Sequence, residues 1–381
     1  MEQKKRREQN EKLDGAESAV MQTEIQETKK SGTSGAENPE GRAEAGKPEP
    51  AGAKNAACRP ETGRETEQPG VGRVHAICIS AARGTEKHPV EEAYFQENFG
   101  IQGDAHAGHW HRQVSLLSYE RVEAFNARGA NVTDGAFGEN LVVEGIDFRA
   151  LPVGTLLFCG DAVLRMTQLG KECHSHCKIY QRMGECIMPT QGVFAEVLKP
   201  GIIKKGDEMR IELPGPDAAP LAAVLVASDK GSRGERVDES GPAAAAVLEE
   251  NGYRVIEVVV TSDDKERIKR ELMRLCDQRQ AALVVTSGGT GLSVRDNTPE
   301  ATMEVSTRSV PGIAEAIRAE SMRYTKRAML SRGVSVIRGQ SLIVNLPGSP
   351  KGVRESLSAV IDTLGHGIRI LRGQDGECAR K

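Results

Sequence analysis

Thr286-Ser287-Gly288-Gly289-Thr290-Gly291, followed by Asp296-Asn297-Thr298-Pro299-Glu300, decides how the rest of the chain is read. Ahead of it, Ala281-Ala282-Leu283-Val284-Val285 is a short β-branched apolar run, the pattern of a strand buried on both faces of a parallel sheet. Behind it, Thr298-Pro299-Glu300 has the form of a helix start, with Thr as cap, Pro at the first helical position and an acid in the first turn. Glycine takes positive φ without cost and lets a ligand approach the backbone closely. Consecutive amide N–H groups at a strand-to-helix turn bind anions. The loop therefore reads either as a phosphate cradle or as a tight turn with no ligand. Asp296 favours the cradle, because a carboxylate beside an anion repels it unless a metal ion or a proton-transfer task uses it.

The bounds on the whole chain agree. At 381 residues it is too long for one ordinary domain, so two or more are expected. With 51 basic and 54 acidic residues, a net charge of −3 and only 3% aromatics, neither the basic face nor the stacking platforms of a nucleic-acid binder are expected. No apolar run approaches the ~20 residues that span a bilayer, and the charged start of the chain is not followed by an apolar core, so a cytoplasmic protein is expected. Its eight cysteines are then available for metal or sulfur chemistry rather than disulfides.

Residues 1–70 hold no Phe, Tyr or Trp and are dominated by Glu, Lys, Gly, Ala, Gln and Pro, the composition of a disordered tail. From residue 71 short alternating strands appear: around Val74–Ser80, Gln113–Leu117, Leu141–Val143, Thr155–Phe158 and Ala162–Met166, interrupted by one helix near Tyr119–Arg128. Many short strands separated by glycine turns predict a β-barrel or sandwich over residues 71–213. Three motifs lie within it. Gly100-Ile101-Gln102-Gly103-Asp104-Ala105-His106-Ala107-Gly108 and Gly135-Ala136-Phe137-Gly138-Glu139-Asn140 are glycine-flanked loops carrying an acid with an imidazole or an amide. Cys173-His174-Ser175-His176-Cys177, with Cys186 beyond, gathers soft-metal ligands, though not at zinc-ribbon spacing. The residues alone leave two readings for Asp104, His106 and Glu139, as site groups or as fixers of loop geometry, and leave thiol chemistry, a structural metal and plain buried cysteines open for the third motif.

The order IQGDAHAG, HRQVSLL, GAFGENL, then Gln168 with Cys173 five residues on, resembles the MOSC domain, named after the C-terminal part of molybdenum cofactor sulfurase. That resemblance implies a β-rich, barrel-like fold that binds molybdenum cofactor or carries sulfur, with Cys173 as the reactive thiol. It also brings molybdenum-ion and pyridoxal-phosphate binding as associated expectations. His174, His176 and Cys177 crowd the cysteine more than is usual in that family.

Residues 214–220, with three prolines, read as a stiff linker. Over residues 221–373 strands and helices alternate, which predicts a doubly wound α/β sheet with its ligands at the carboxyl ends of the strands, and residues 374–381 form a short tail. Those ends carry Ser228-Asp229-Lys230-Gly231-Ser232-Arg233-Gly234, Thr261-Ser262-Asp263-Asp264, the glycine loop and Pro347-Gly348-Ser349-Pro350. Phosphoryl or nucleotidyl transfer needs such a set: the loop for one phosphate, Lys230 and Arg233 for negative charge, Asp263 and Asp296 for a magnesium ion. Ser262-Asp263 has a plainer reading as a helix cap. No Gly-x-x-x-x-Gly-Lys-[Ser/Thr] and no Gly-x-Gly-x-x-Gly with a following acid occurs, which disfavours P-loop and dinucleotide-binding folds.

VASDKGSRG, DESGP, TSGGTGLSVRDNTPEAT, PGIAEAIR and AMLSRGVSVIRGQSLIVNLPGSP, in that order, resemble the molybdopterin adenylyltransferase family. The resemblance implies transfer of AMP from magnesium-ATP to the phosphate of molybdopterin, with trimers or hexamers of this half. The expected partners are a molybdate-insertion protein and molybdoenzymes. Matched by position, Asp263 and Asp296 take the family's metal-binding and catalytic acids. Ser287, Gly288, Gly289, Thr290 and Gly291 take its pterin-phosphate loop. Ser349, Lys230 and Arg233 are carried over as further binding residues, Ser349 standing where relatives often have Asn or Gln.

Overall fold

A computed structural model describes residues 70–173 and 178–374, all within one compact unit, Arg64–Lys381. The expected tail over residues 1–70 lies outside the described residues but for Gly70; His174, His176 and Cys177 and residues 375–381 lie outside them as well.

The first part is a closed barrel. Its strands are β1 (Val71–Ile79), β2 (His88–Val90), β3 (Glu92–Gln96), β4 (Gly100–Ile101), β5 (Val114–Ser118), β6 (Leu141–Glu144), β7 (Leu156–Cys159), β8 (Ala162–Leu169), β9 (Val193–Lys199), β10 (Gly201–Lys204) and β11 (Glu208–Glu212). The wall runs β11-β7-β8-β9-β5-β6-β1 and closes through β1 on β11; β2 extends it beyond β1, while β10, β3 and β4 form a separate three-stranded sheet. Closure leaves few sheet edges unpaired. Side chains on β6 alternate as a strand's must: Leu141 and Val143 enter the interior with Leu116, Leu157, Leu164 and Met166, whereas Val142 points outward onto Phe125 and Val122. The outer layer belongs to the helix Tyr119–Asn126, which covers that stretch of wall. Both faces of β6 are therefore apolar.

The second part is a six-stranded sheet in the order β13-β12-β14-β17-β16-β15. Here β12 is Leu221–Ala227, β13 Arg254–Thr261, β14 Leu283–Ser287, β15 Arg308–Ser309, β16 Ser335–Arg338 and β17 Ser341–Leu346. The four strands β13, β12, β14 and β17 are parallel; β16 and β15 are antiparallel additions at one edge. Ala222, Val224 and Val226 of β12 pack on one face with the helices Ser240–Glu250, Pro350–Ser358 and Ile361–Leu371. Ala223, Leu225 and Ala227 pack on the other with the helix Lys265–Met273. Helices on both faces are the doubly wound arrangement, and they explain the uninterrupted apolar run of β12.

Several boundaries differ from the sequence expectation. The helix that begins at Lys265 is α-helical to Met273 and widens to a π-turn over Arg274–Gln278. The last helical stretch of the described residues is two helices, Pro350–Ser358 and Ile361–Leu371. Thr298 does not cap its helix: it is the first helical residue of Thr298–Glu304, and Asn297 precedes it without a side-chain cap. β16 pairs along β17 through a turn at Gly339, and its mixed Ser-Val-Ile-Arg sequence gave no strong strand signal.

Arg279, 2% exposed, joins barrel and sheet. Its guanidinium donates to the carbonyl of Thr167 in β8, to the Ile256 carbonyl at 3.1 Å and to Glu257 at 3.1 Å. The neighbouring Gln280 holds a left-handed backbone, φ 50°, and its Oε1 accepts from Val153 N–H at 2.8 Å. A non-glycine residue keeps such a conformation where its contacts over-determine it.

Candidate active site

Parallel pairing aligns Ala227 with Thr261, Val226 with Ser287 and Ser287 with Leu346, so four strand ends open on one edge. There a crevice of about 230 Å³ is lined by Ser228, Asp263, the Ser287–Gly289 turn, Asp296 and Gly348. The glycines are required by geometry. Gly288 and Gly289 have φ of 91° and 63°; a Cβ on Gly288 would strike the Ala227 carbonyl oxygen, and one on Gly289 the Thr298 hydroxyl. The amides of Gly289, Thr290 and Gly291 donate to no acceptor among the described residues. Three N–H groups in sequence are thus available to an anion.

Both acids stand against this turn. An ideal Cβ on Gly289 would lie 3.5 Å from Asp263 Oδ1, and one on Gly291 2.9 Å from Asp296 Oδ2. Asp263 is not a helix cap; that task falls to Asp264, which accepts from Arg267 N–H at 2.9 Å. Asp263 and Asp229 instead clasp each other, each backbone N–H donating to the other's carboxylate, at 2.8 and 3.0 Å. Burial pushes the Asp263 carboxyl above its ordinary range; the Asp229 amide and Arg295 oppose this, and the charges of Asp229 and Asp296 add to it. Asp229 is held below its usual range, chiefly by the Arg295 guanidinium that grips it. Asp296 accepts from Ser293 N–H at 2.8 Å through Oδ2.

Arg332 fixes the loop from outside. Its backbone N–H donates to the Thr290 carbonyl at 2.9 Å and its Nε to the Gly291 carbonyl at 2.7 Å, while its other guanidinium nitrogens reach the Asp296 carbonyl and Glu300. Sequence reasoning missed Arg332, Arg295 and Asp229 as members of the site. Arg295 beside Asp296 was the one local signal. The expected cations stand elsewhere: Arg233 pairs with Glu235 at 2.7 Å, and neither it nor Lys230 lines the crevice. Ser349 caps the helix Pro350–Ser358, accepting from Gly352 N–H at 3.1 Å, while its neighbours Gly348 and Pro350 face the crevice. Thr290 is buried, with Gly291 following it under the Arg332 clamp.

In the barrel, Glu139 is fully buried and both its oxygens serve the loop, accepting from Gly135 N–H at 2.7 Å and Phe137 N–H at 2.9 Å. Burial pushes its carboxyl up to about 7 against those two donors. Asp104 and Lys87 form a buried pair, Nζ to Oδ2 2.8 Å. Burial alone would raise the Asp104 carboxyl, but the Lys87 ammonium takes it below its ordinary range. His106 Nδ1 has no hydrogen-bond partner among the described residues and lies 3.9 Å from Asp104 Oδ2; burial, then the Lys87 charge, lowers its pKa. Cys173 is exposed and Cys186 half-buried. Among the described residues no three His, Cys, Asp or Glu side chains gather to hold a metal, and His174, His176 and Cys177 lie outside them. Pyridoxal phosphate finds no support here: Lys87, the lysine buried among the described residues, is committed to Asp104. No helix among the described residues is long and apolar enough to cross a membrane.

A parallel sheet with three loop amides and two carboxylates at its carboxyl edge defines the class: a doubly wound α/β protein with its site at the strand ends. The MOSC domain family matches residues 102–210, and the family described as probable molybdopterin binding domain matches residues 223–366. A molybdopterin adenylyltransferase of Helicobacter pylori is 42% identical over 152 residues, covering 39% of this chain and 86% of the relative. One of Escherichia coli is 40% identical over 150 residues, covering 35% and 77%. The crystal structure of the molybdopterin biosynthesis enzyme MoaB of Thermus is 44% identical, covers 41% of this chain and 99% of its own, and superposes with a TM-score of 0.39. The chain belongs, through its α/β part, to the molybdopterin adenylyltransferase family, with a MOSC domain ahead of it.

Proposed function

We propose that the α/β part, residues 221–373, transfers AMP from ATP to the phosphate of molybdopterin, releasing pyrophosphate. The observation that carries this reading is the convergence of Asp263, Asp296 and the Ser287–Gly289 turn on one crevice. The amides of Gly289, Thr290 and Gly291 bind the pterin phosphate and hold one of its oxygens toward the α-phosphorus of ATP. That oxygen attacks in line and pyrophosphate leaves; no general base is needed, because a phosphate monoester is already ionised at neutral pH. Asp263 and Asp296 would hold a hard divalent cation such as magnesium beside the substrate phosphates. The raised Asp263 carboxyl, crowded by Asp229 and Asp296, is the kind of negative excess such an ion offsets. When bound, magnesium supplies charge compensation at the transferring phosphoryl group. Arg332 and Arg295 keep loop and acids in register.

For the barrel, residues 71–213, we propose binding of molybdenum cofactor or carriage of sulfur on Cys173, whose exposure supports a reactive rather than a packed thiol. Asp104, His106 and Glu139 shape the adjoining loops. The cytoplasm, homo-trimers or hexamers, and delivery to a molybdate-insertion protein complete the proposal. Asp296→Asn is the test: molybdopterin binding stays within about threefold while AMP transfer falls by about a hundredfold or more. Equal transfer by variant and parent removes Asp296 from the mechanism.

A further inference from the structure

A second and larger cleft, about 1180 Å³, opens on the opposite edge of the same sheet, between the barrel wall and the segment 213–220. Arg254 begins β13, whose far end leads to Asp263, so strand length alone separates cleft and crevice by roughly 25 Å. Five arginines line it: Arg165, Arg254, Arg338, Arg369 and Arg372. Two are neutralised by carboxylates, Arg165 by Glu196 and Arg338 by Asp277. Arg254 and Arg372 are not. The Arg254 guanidinium makes no hydrogen bond or ion pair among the described residues; the nearest counter-charge acting on it is Glu196, which is already paired with Arg165, and Arg372 donates only to the carbonyls of Gln280 and Gln340, at 3.0 and 3.4 Å. Burial lowers the pKa of both; at Arg254 the charge of Arg165 adds to this and that of Glu196 opposes it. The cleft's other acids, Glu212 and Asp217, are exposed, and Asp277 is already committed to Arg338.

A guanidinium drawn out of water without a counter-charge is unfavourable unless something anionic comes to it. The planar fork of arginine matches phosphate oxygens in pairs. The volume exceeds what a nucleotide-sized ligand fills, since such sites run from about 300 to 1,000 Å³. We propose that this cleft is a second anion site, which takes an organic phosphate of nucleotide size and grips its phosphate with Arg254 and Arg372. It stands apart from the adenylyl-transfer crevice.

The test is equilibrium binding of labelled ATP to the full chain in EDTA, with inorganic pyrophosphate as competitor. The parent shows a class of ATP site that pyrophosphate displaces. In Arg254→Gln/Arg372→Gln that class weakens by about tenfold or more, with AMP transfer within twofold of the parent. The single Arg254→Gln, with a thermal midpoint matching the parent's, reads the same loss should the double variant fold poorly. Identical ATP stoichiometry and affinity in parent and Arg254→Gln overturns the proposal, as does a class of site that pyrophosphate cannot displace. A failure of adenylyl transfer leaves this reading standing, because the assay measures binding at residues that do not touch the crevice.

Discussion

Placing a methyl group at the glycine turn tests the cradle through its own geometry. Gly289→Ala puts a non-glycine residue at φ 63° and drives its Cβ into the Thr298 hydroxyl. The left-handed backbone costs about 1–2 kcal/mol, and forcing an extra carbon into a packed site about 1–3 kcal/mol more. A loss of about 2–5 kcal/mol corresponds to roughly 4–20 °C in the unfolding midpoint of a domain this size. The larger effect is on chemistry, since displacing the amides by about 1 Å is expected to lower AMP transfer by about a hundredfold. The obstructing Oγ1 of Thr298 is buried and has no hydrogen-bond partner among the described residues, so Thr298→Ala alone should be close to neutral. Gly289→Ala/Thr298→Ala should then regain most of the lost stability and at least tenfold of the lost rate. Gly288→Ala meets the backbone carbonyl of Ala227 instead, and no side-chain trimming relieves it. Gly312→Ala, which adds its Cβ in open space, is the control and should leave both readouts unchanged. Thermal unfolding and a labelled-AMP transfer assay on these variants and on Gly288→Ala/Thr298→Ala decide the matter. A Gly289→Ala protein as stable and active as the parent refutes the geometry, and so does rescue of Gly288→Ala by Thr298→Ala.

Four further outcomes follow from named contacts. Asp263→Asn should abolish most AMP transfer and, by relieving the crowding with Asp229 and Asp296, leave the unfolding midpoint unchanged or higher; a fall in midpoint with transfer intact contradicts this. Arg332→Ala removes the clamp on the Gly291 and Asp296 carbonyls and should cut transfer by about ten- to a hundredfold with a modest loss of stability, read by the same two assays. Arg279→Ala leaves the Thr167 carbonyl without its donor and Glu257 with Arg274 alone, at a cost of about 3–5 kcal/mol. Calorimetry should then resolve separate barrel and sheet transitions, and a single unshifted transition denies the joint. His111, which meets Gln168 Oε1 at 2.8 Å, is pushed down to about 4 by burial, then by the Arg279 charge. Its folded pKa lies below the unfolded value near 6.5, so it stabilises above pH ~6.5 and that contribution is lost as pH falls toward 4. His111→Asn should flatten that part of the stability–pH profile; an unchanged slope removes His111 from it.

Much of this was legible in the chain because its signals are local. A β-branched run ending in Ser-Gly-Gly-Thr-Gly places a parallel strand, its turn and an anion cradle at once, and the alternation of β12 between two helix layers explains an apolar run that single-face periodicity would not. What stayed hidden depends on long-range contacts. Asp229 meets Asp263 across 34 positions, and Arg332 reaches Gly291 across 41. Arg233 looked like a phosphate ligand until Glu235, two residues away, took it. Asp263 and Asp264 are equivalent as caps in sequence, and only the fold assigns the cap to Asp264. In the barrel the carboxylate of Glu139 is indistinguishable by spacing from a catalytic one; its two amide donors appear only once the loop is folded.

The central claim is that this crevice catalyses transfer and does not merely hold cofactor. The purified chain, mixed with α-labelled ATP, magnesium and molybdopterin, should move label onto the pterin and release one pyrophosphate for each AMP transferred. Tight molybdopterin binding with no label transferred and no pyrophosphate released would make the protein a cofactor carrier and contradict the account.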